Sequence, residues 1–148
     1  YINLISNKME NKFKRDLIVG QNSERRVGDI FLSKGYAVEY NNSKKLSELK
    51  GWDFTITKED KFFRIENKND LMCKKTGNVA VEIKCVNNTI SDYWVYDIDE
   101  VGIYVISINN LIKLINGNSR SVYGGDGGRS YMKLIKIDDF IKYCKKLC

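Results

Sequence analysis

The sequence contains no histidine, and this absence limits the chemistry that it can use. Histidine is the commonest metal-binding side chain and the usual general base near neutral pH. Any hydrolytic reaction must therefore depend on Asp, Glu, Lys, Tyr or Cys. The four cysteines form no paired C-x-x-C pattern, which argues against a structural zinc site. We expect reduced thiols in an intracellular, cytoplasmic protein.

Proline is also absent, and no apolar run approaches the ~20 residues of a membrane span. We therefore predict no membrane partner. The 148 residues, 43% of them hydrophobic, are sufficient for one domain with its own core. A formal charge of +6 and a pI near 9.1 favour a polyanionic partner such as nucleic acid.

Hydrophobic periodicity predicts an α/β domain around a central mixed sheet flanked by helices. We predict an N-terminal helical or partly ordered arm over residues 1–20 and one domain over residues 21–148. The domain begins with a helix at 21–34, which Gly35 ends. Further strands are predicted at 36–40, 52–57, 61–68, 79–85, 101–108 and 131–135, and further helices at 109–117 and 137–147.

Three of the predicted strands carry a carboxylate inside an apolar run: Asp53, Glu66 and Glu82. Carboxylates are costly on half-buried strands unless something pairs with them, and a divalent cation does so. If the three strands are neighbours, these side chains converge on one patch. Oxygen ligands of this kind suit Mg²⁺, for which Mn²⁺ can substitute. The pattern therefore predicts a magnesium site.

Lys68 lies two residues after Glu66 and so shares its face of the strand. There it would orient or activate a water and offset charge in a phosphodiester transition state. Asp70 with Glu82 and Lys84 is a rival frame of similar spacing. We prefer the first frame, because Asp70 lies in a polar connection after its strand, whereas Asp53 begins one.

Glu24 is a further candidate, because it falls on the inward side of the first predicted helix. It lies three residues before Val27 and seven before Phe31. Its other interpretation is an acid in the first helical turn, which the helix dipole favours.

Together these residues resemble the PD-(D/E)XK nuclease superfamily. Its restriction-endonuclease-like fold has a helix, a three-stranded meander, a helix and a strand at its core (α-β-β-β-α-β). The resemblance spans about residues 21–140. It includes the runs 66–82 and 91–94 and the late segments 124–126 and 134–135, which look like a subgroup frequent in phage and bacterial genomes. The sequence departs from the usual pattern at Trp52, where proline is common, and at Asn67, where an apolar residue usually packs.

The resemblance implies metal-dependent hydrolysis of DNA. Asp53 and Glu66 would be the metal ligands and Lys68 the catalytic lysine, with Glu82 and Glu24 as supporting acids. The turn at residues 76–78 could approach the scissile strand.

DNA binding needs cations along the nucleic-acid backbone. The candidate contacts are Lys44, Lys45 and Lys50 in the first loop, Lys74, Lys75, Thr76 and Asn78 in the connection between strands, Lys84, and Arg120 and Arg129 around the glycine-rich loop.

We expect a Mg²⁺-dependent DNA endonuclease with a homing, restriction, repair or junction-resolving role. It would act as a homodimer or a larger homo-oligomer, because a duplex needs two cuts. The alternative is a catalytically inert nucleic-acid-binding domain of the same fold. A small RNA nuclease also fits the residues.

Overall fold

The computed structural model describes residues 2–41, 51–124 and 130–148, with side chains from residue 5 onward. The predicted contacts Lys44, Lys45, Lys50 and Arg129 lie outside the described residues.

Helix α1 covers Ile2–Ser33 as one continuous element. The predicted arm and the predicted helix at 21–34 are thus parts of the same helix, and the division of the chain at residue 20 stays a prediction. Beyond the helix, Gly35 has a φ of 88° and the amide of Tyr36 turns back to the carbonyl of Phe31 at 3.1 Å. This left-handed residue ends the helix.

Within the described residues, the central sheet is mixed and has six strands. In their order across the sheet they are β1 (Ala37–Tyr40), β2 (Phe54–Lys58), β3 (Lys61–Asp70), β5 (Tyr93–Ile98), β6 (Gly102–Ser107) and β9 (Lys145–Lys146). Strands β1, β2 and β3 form an antiparallel meander, and β3 pairs with β5 in parallel. The predicted α/β class with a central mixed sheet is confirmed.

The connection from β3 to β5 leaves the central sheet. It consists of α2 (Cys73–Thr76), β4 (Asn78–Glu82) and α3 (Ile83–Asn88). Strand β4 joins β8 (Ser130–Lys136) and β7 (Arg120–Gly124) in a second, three-stranded sheet. A strand does form in the predicted region, but it lies in the second sheet, so the condition that all three carboxylate-bearing strands are neighbours is not met. A parallel pair needs a long crossover, and here the crossover carries β4 away from the sheet.

Two further helices pack against these sheets. Helix α4 (Ile108–Gly117) begins at Ser107, whose hydroxyl accepts a 3.2 Å hydrogen bond from the amide of Asn110. Helix α5 (Ile137–Lys142) is shorter than predicted, because the chain then forms β9 at the sheet edge.

Each face of the central sheet has its own apolar core. On one face, Val27 and Phe31 of α1 pack against Phe54, Ile65 and Val95. On the other, Trp94 and Tyr96 of β5 pack against the second sheet, α4 and α5. Both cores therefore share strand β5, whose alternate residues point to opposite faces.

Between α1 and the sheet lies a buried polar network. The Ser23 hydroxyl donates to Asp97 at 2.7 Å and accepts from the Asn67 side chain at 2.9 Å. Arg26 also pairs with the Asp97 carboxylate, which is 8% exposed. Buried polar groups are tolerated when they are paired in this way. The network therefore fixes the position of α1 on β3 and β5.

The helix also approaches β1 closely at Gly28. A Cβ atom there would collide with the hydroxyl of Tyr40.

Within the described residues, no helix combines the length and apolar character needed to cross a membrane.

We expect Asp97→Ala to lower the free energy of unfolding by about 2–4 kcal/mol, because it leaves Ser23 and Arg26 without their partner. Urea unfolding measures this change. The matched control is Asp99→Ala, which removes a more exposed ion pair with Lys74 and should cost less than about 1 kcal/mol. Equal losses in the two variants would contradict a structural role for the network.

Candidate active site

Asp53 is held at the entry to β2 by both its main chain and its side chain. Its amide donates to the carbonyl of Ile65, and its carbonyl accepts from the amide of Asn41, each at 2.8 Å. One oxygen of its carboxylate accepts a 2.7 Å hydrogen bond from the amide of Asn67. The carboxyl group is therefore fixed against the middle of β3.

Glu66 and Lys68 form an ion pair on β3, with 3.0 Å between Lys68 Nζ and Glu66 Oε1. The Lys68 ammonium also lies 4.9 Å from the centre of the Trp94 ring. Glu66 is 17% and Lys68 32% exposed, so both remain accessible to a substrate. Period two puts them on one face of the strand, as the sequence predicted.

Trp94 is a site residue that sequence reasoning missed. The parallel register places Trp94 beside Glu66 and Tyr96 beside Lys68. The indole nitrogen of Trp94 donates to Thr89 at 3.2 Å, which fixes the ring under the ammonium. Only the pairing of β3 with β5 reveals this contact, and no local motif reports that pairing.

Glu24 reaches the same region from α1. Its carboxyl group comes close enough to Asp53 to hydrogen-bond with it. Burial, and then the charge of Glu66, raise the pKa of Glu24 above its usual value. The structure thus brings Glu24, Asp53, Glu66 and Lys68 together.

The cluster of these four residues contains three carboxyl groups and one ammonium group. Burial, followed by the Glu66 charge, raises the pKa of Asp53 to about 7, although the hydrogen bond from the Asn67 amide opposes the rise. For Lys68, burial acts to lower the pKa, but the charge and hydrogen bond of Glu66 outweigh it and the net pKa lies above the ordinary value. Lys68 is therefore protonated at neutral pH.

Glu82 approaches from the second sheet instead of from a neighbouring strand. It lies next to Cys85, and the charges of Lys68 and Glu66 act on that thiol, whose pKa is raised mainly by burial. Among the described residues, no group of three acidic or cysteine side chains is arranged to hold a metal ion. Because β4 belongs to the second sheet, Glu82 does not reach this region from a strand next to Asp53, and the convergence of Asp53, Glu66 and Glu82 on one metal ion stays a prediction.

The residues of the rival frame have other contacts. The carboxylate of Asp70 accepts from the amides of Met72 and Cys73, both at 2.9 Å, and so shapes the turn into α2. Lys84 is exposed on α3, where it lines an open depression of about 650 Å³ together with Glu82. The structure therefore gives Asp70 a local structural role.

The predicted DNA contacts fall in different surroundings. Lys74 pairs with Asp99 and Glu100, whereas Lys75 is exposed. Thr76 and Asn78 hydrogen-bond to each other around Gly77, whose φ is 71°. Asn78 and Arg120 line one depression of about 260 Å³ on the second sheet.

The fold with this site on β2 and β3 is the restriction-endonuclease-like fold that the sequence resemblance implied. The chain matches the solved structure of a bacterial homing endonuclease, I-Ssp6803I, with a TM-score of 0.56 and 20% identity over 84% of this chain and 83% of that one. The fold assignment rests on this likeness.

Two other solved structures are similar. Hjc, a Holliday junction resolvase of Archaeoglobus fulgidus, has a TM-score of 0.48 and 10% identity over 83% of this chain and 95% of that one. D212, a nuclease from a fusselovirus, has a TM-score of 0.49 and 15% identity over 92% and 87%. No family model matches the chain, and no curated protein is significantly similar to it in sequence.

The raised pKa of Asp53 predicts that the metal-free protein loses stability as the pH rises. The folded protein holds this proton up to about pH 7, while the unfolded chain releases it near pH 4. Between those two pH values the free energy of unfolding therefore falls by at most about 4 kcal/mol. Above about pH 7 the titration of Asp53 no longer changes it. When unfolding by urea is measured in EDTA, the free energy of unfolding of Asp53→Asn should fall less between pH 4 and pH 7 than that of the wild type.

The exposed Asp60→Asn is the matched control for this measurement, and its pH profile should equal that of the wild type. A wild-type profile that falls no more steeply between pH 4 and pH 7 than that of Asp53→Asn would contradict the burial of Asp53 beside Glu66.

Proposed function

We propose that this chain is a metal-dependent endonuclease that hydrolyses phosphodiester bonds in DNA. The observation that carries this proposal is the meeting of Asp53, Glu66 and Lys68 on β2 and β3 of a restriction-endonuclease-like fold. The homing endonuclease that shares the fold supports the same class of reaction.

The donor set fits a divalent cation. Asp53 and Glu66 offer oxygen ligands. Burial, and then the charge of Glu66, raise the pKa of Asp53, and a positive ion nearby would favour its ionised form. Mg²⁺ commonly takes one or two carboxylates, waters and a substrate phosphate, so a cage of three side chains is not required. Glu24, and more distantly Glu82, would act as supporting acids.

A bound Mg²⁺ or Mn²⁺ would polarise the phosphodiester and make a water more acidic. The chain itself supplies Lys68, which stays charged because of Glu66. Its ammonium can donate to a phosphate oxygen or orient a water, and it stabilises the negative charge of the transition state. A protonated lysine does not abstract a proton, so Lys68 acts by charge and position.

We expect Glu66→Gln and Lys68→Met each to reduce metal-dependent cleavage at least about 100-fold. The assay compares supercoiled plasmid, branched DNA, single-stranded DNA and RNA with Mg²⁺, Mn²⁺ or EDTA. Lys61→Met is the matched control, since Lys61 is exposed at the start of the same strand. Unfolding curves show whether the variants remain folded.

Other outcomes of this assay identify other functions. Cutting that survives Glu66→Gln but is lost in Lys84→Met would assign the site to the rival frame. Tight binding without cutting on any substrate would favour the inert nucleic-acid-binding domain. Cutting of RNA alone would make the chain a ribonuclease.

For cutting both strands of a duplex, the chain acts as a dimer through α1. Ile5, Met9, Phe13 and Leu17 follow one another at four-residue spacing and are 53%, 69%, 69% and 38% exposed. All described side chains from residue 5 to residue 19 are exposed. A helical segment of this length is marginal in water without packing. A second copy would cover the same stripe on both chains.

Phe13→Lys should therefore convert a dimer to a monomer, measured by light scattering after gel filtration. It should also change duplex linearisation into nicking, because one subunit cuts one strand. Lys12→Gln, a neighbouring exposed position, is the control and should leave the dimer intact. A wild-type monomer at all concentrations would exclude this interface.

A further inference from the structure

The second sheet has a part that extends beyond β4. Strand β4 pairs with β8 from Lys136 to Met132, so that Tyr131 pairs only with Tyr123 of β7. We call the four residues Ser121, Tyr123, Tyr131 and Lys133 the ribbon cluster. Cross-strand partners share a face, and Ser121 pairs with Lys133 as Tyr123 pairs with Tyr131. All four side chains therefore lie on one face of the β7–β8 ribbon.

Three polar groups of the ribbon cluster form one site. Lys133 Nζ donates to the hydroxyl of Ser121 at 2.7 Å, and the hydroxyls of Ser121 and Tyr131 are 2.8 Å apart. Hydrogen bonding to Ser121, and then Lys133, lower the pKa of Tyr131, which makes its hydroxyl a better donor. In the described part of the chain, Lys133 forms no ion pair with a carboxylate. An ammonium and two hydroxyls can together bind a phosphate oxygen.

The aromatic half of the ribbon cluster lies next to this site. The rings of Tyr123 and Tyr131 are 5.4 Å apart, and Tyr123 is 75% exposed. An exposed ring can stack on any nucleobase, and such stacking contributes about 1–3 kcal/mol per base. The pair Tyr123–Tyr131 and the pair Ser121–Lys133 are two residues apart along each strand, which is roughly 7 Å. This separation suits the phosphate and the base of one nucleotide.

The ribbon cluster also faces the side of the molecule that carries the candidate active site. Val81, which pairs with Lys133, packs in the same core as Trp94, the neighbour of Glu66. Tyr131 and Glu82 line one open depression, and Glu82 contacts Cys85 close to Lys68. A DNA strand bound at Glu66 and Lys68 can therefore continue along this depression to the ribbon cluster.

We propose that the ribbon cluster binds an unpaired nucleotide of a DNA strand, with the phosphate at Lys133 and Ser121 and the base stacked on Tyr123. The inference rests on the proposed nuclease function for its substrate and defines its class. The preferred DNA has unpaired nucleotides near the scissile bond, because bases within a continuous duplex offer no free face. A junction, a flap or a single strand meets this requirement.

The test measures binding in EDTA, so that cleavage does not contribute. Fluorescence anisotropy gives the Kd of the full chain for labelled single-stranded DNA, duplex DNA and single-stranded RNA of equal length. We expect the tightest binding to single-stranded DNA. Tyr123→Leu should weaken that binding about tenfold or more, while Tyr123→Phe should retain it because the ring remains.

Two further readouts separate stacking from the phosphate contact. Lys133→Met should reduce the salt dependence of binding by about 0.7 in the slope of log K against log salt, which corresponds to one phosphate contact. Tyr123→Leu should leave this slope unchanged but abolish the fluorescence change of a 2-aminopurine base in the strand. Tyr143→Leu and Lys113→Met, exposed at other positions, are the controls.

Equal affinity for duplex and single-stranded DNA, or a Kd that Tyr123→Leu does not change, would overturn the proposal. Tighter binding of RNA would overturn the choice of DNA. If the substitutions in the ribbon cluster do not change binding while cleavage is normal, the binding site is overturned and the proposed nuclease function stays in place. Ribbon-dependent binding without cleavage on any substrate would instead remove the nuclease function and keep the binding site.

Discussion

The structure depends on Asn67, a polar residue at the centre of β3. Its main-chain amide donates to the carboxylate of Asp53, while its side-chain amide donates to Ser23 of α1. Through Ser23 the contact continues to Asp97 on the next strand. One residue therefore fixes both the acid at the entry of β2 and the helix that covers the opposite face. An apolar residue here could pack against the helix, but it would leave Ser23 without this partner, and within the network only the bonds of Ser23 and Arg26 to Asp97 would then fix the rotation of α1. That rotation decides whether Glu24 points toward Asp53.

The same arrangement makes the site costly for the fold. The carboxyl group of Asp53 loses hydration on burial and is repelled by the charge of Glu66, so its pKa rises to about 7. The two apolar cores on either side of the sheet supply the stability that offsets this cost. A site of this kind is expected where local stability is exchanged for the capacity to bind a cation and a phosphate. The ion pair of Glu66 with Lys68 reduces the repulsion only in part.

Much of the fold could be predicted from the sequence, because most of the evidence for it is local. Alternation along residues 61–68 predicts that Glu66 and Lys68 share a face of their strand. The apolar strand that begins at Asp53 predicts a second carboxylate for the same site. The alternation that predicts β4 is the same whichever strands it pairs with, so the sequence does not determine the sheet to which β4 belongs. The role of Trp94 depends on its parallel pairing with Glu66 of β3, 28 positions earlier in the sequence, which no local pattern encodes. Asn67 departs visibly from the usual pattern of such strands, but its partner on α1 is 44 residues away in the sequence.

The crossover between β3 and β5 affects both the site and its surroundings. By leaving the central sheet, it brings Glu82 toward Cys85 and Lys68 from the second sheet instead of from a strand next to Asp53. The same departure places β4 where it can pair with β8, and β8 in turn holds β7. Because β4 ends at Glu82, Tyr131 of β8 pairs only with Tyr123 of β7, and the β7–β8 pair continues beyond the end of β4. The same crossover therefore sets both the direction from which Glu82 approaches the proposed metal site and the length of β7–β8 ribbon that carries Tyr123.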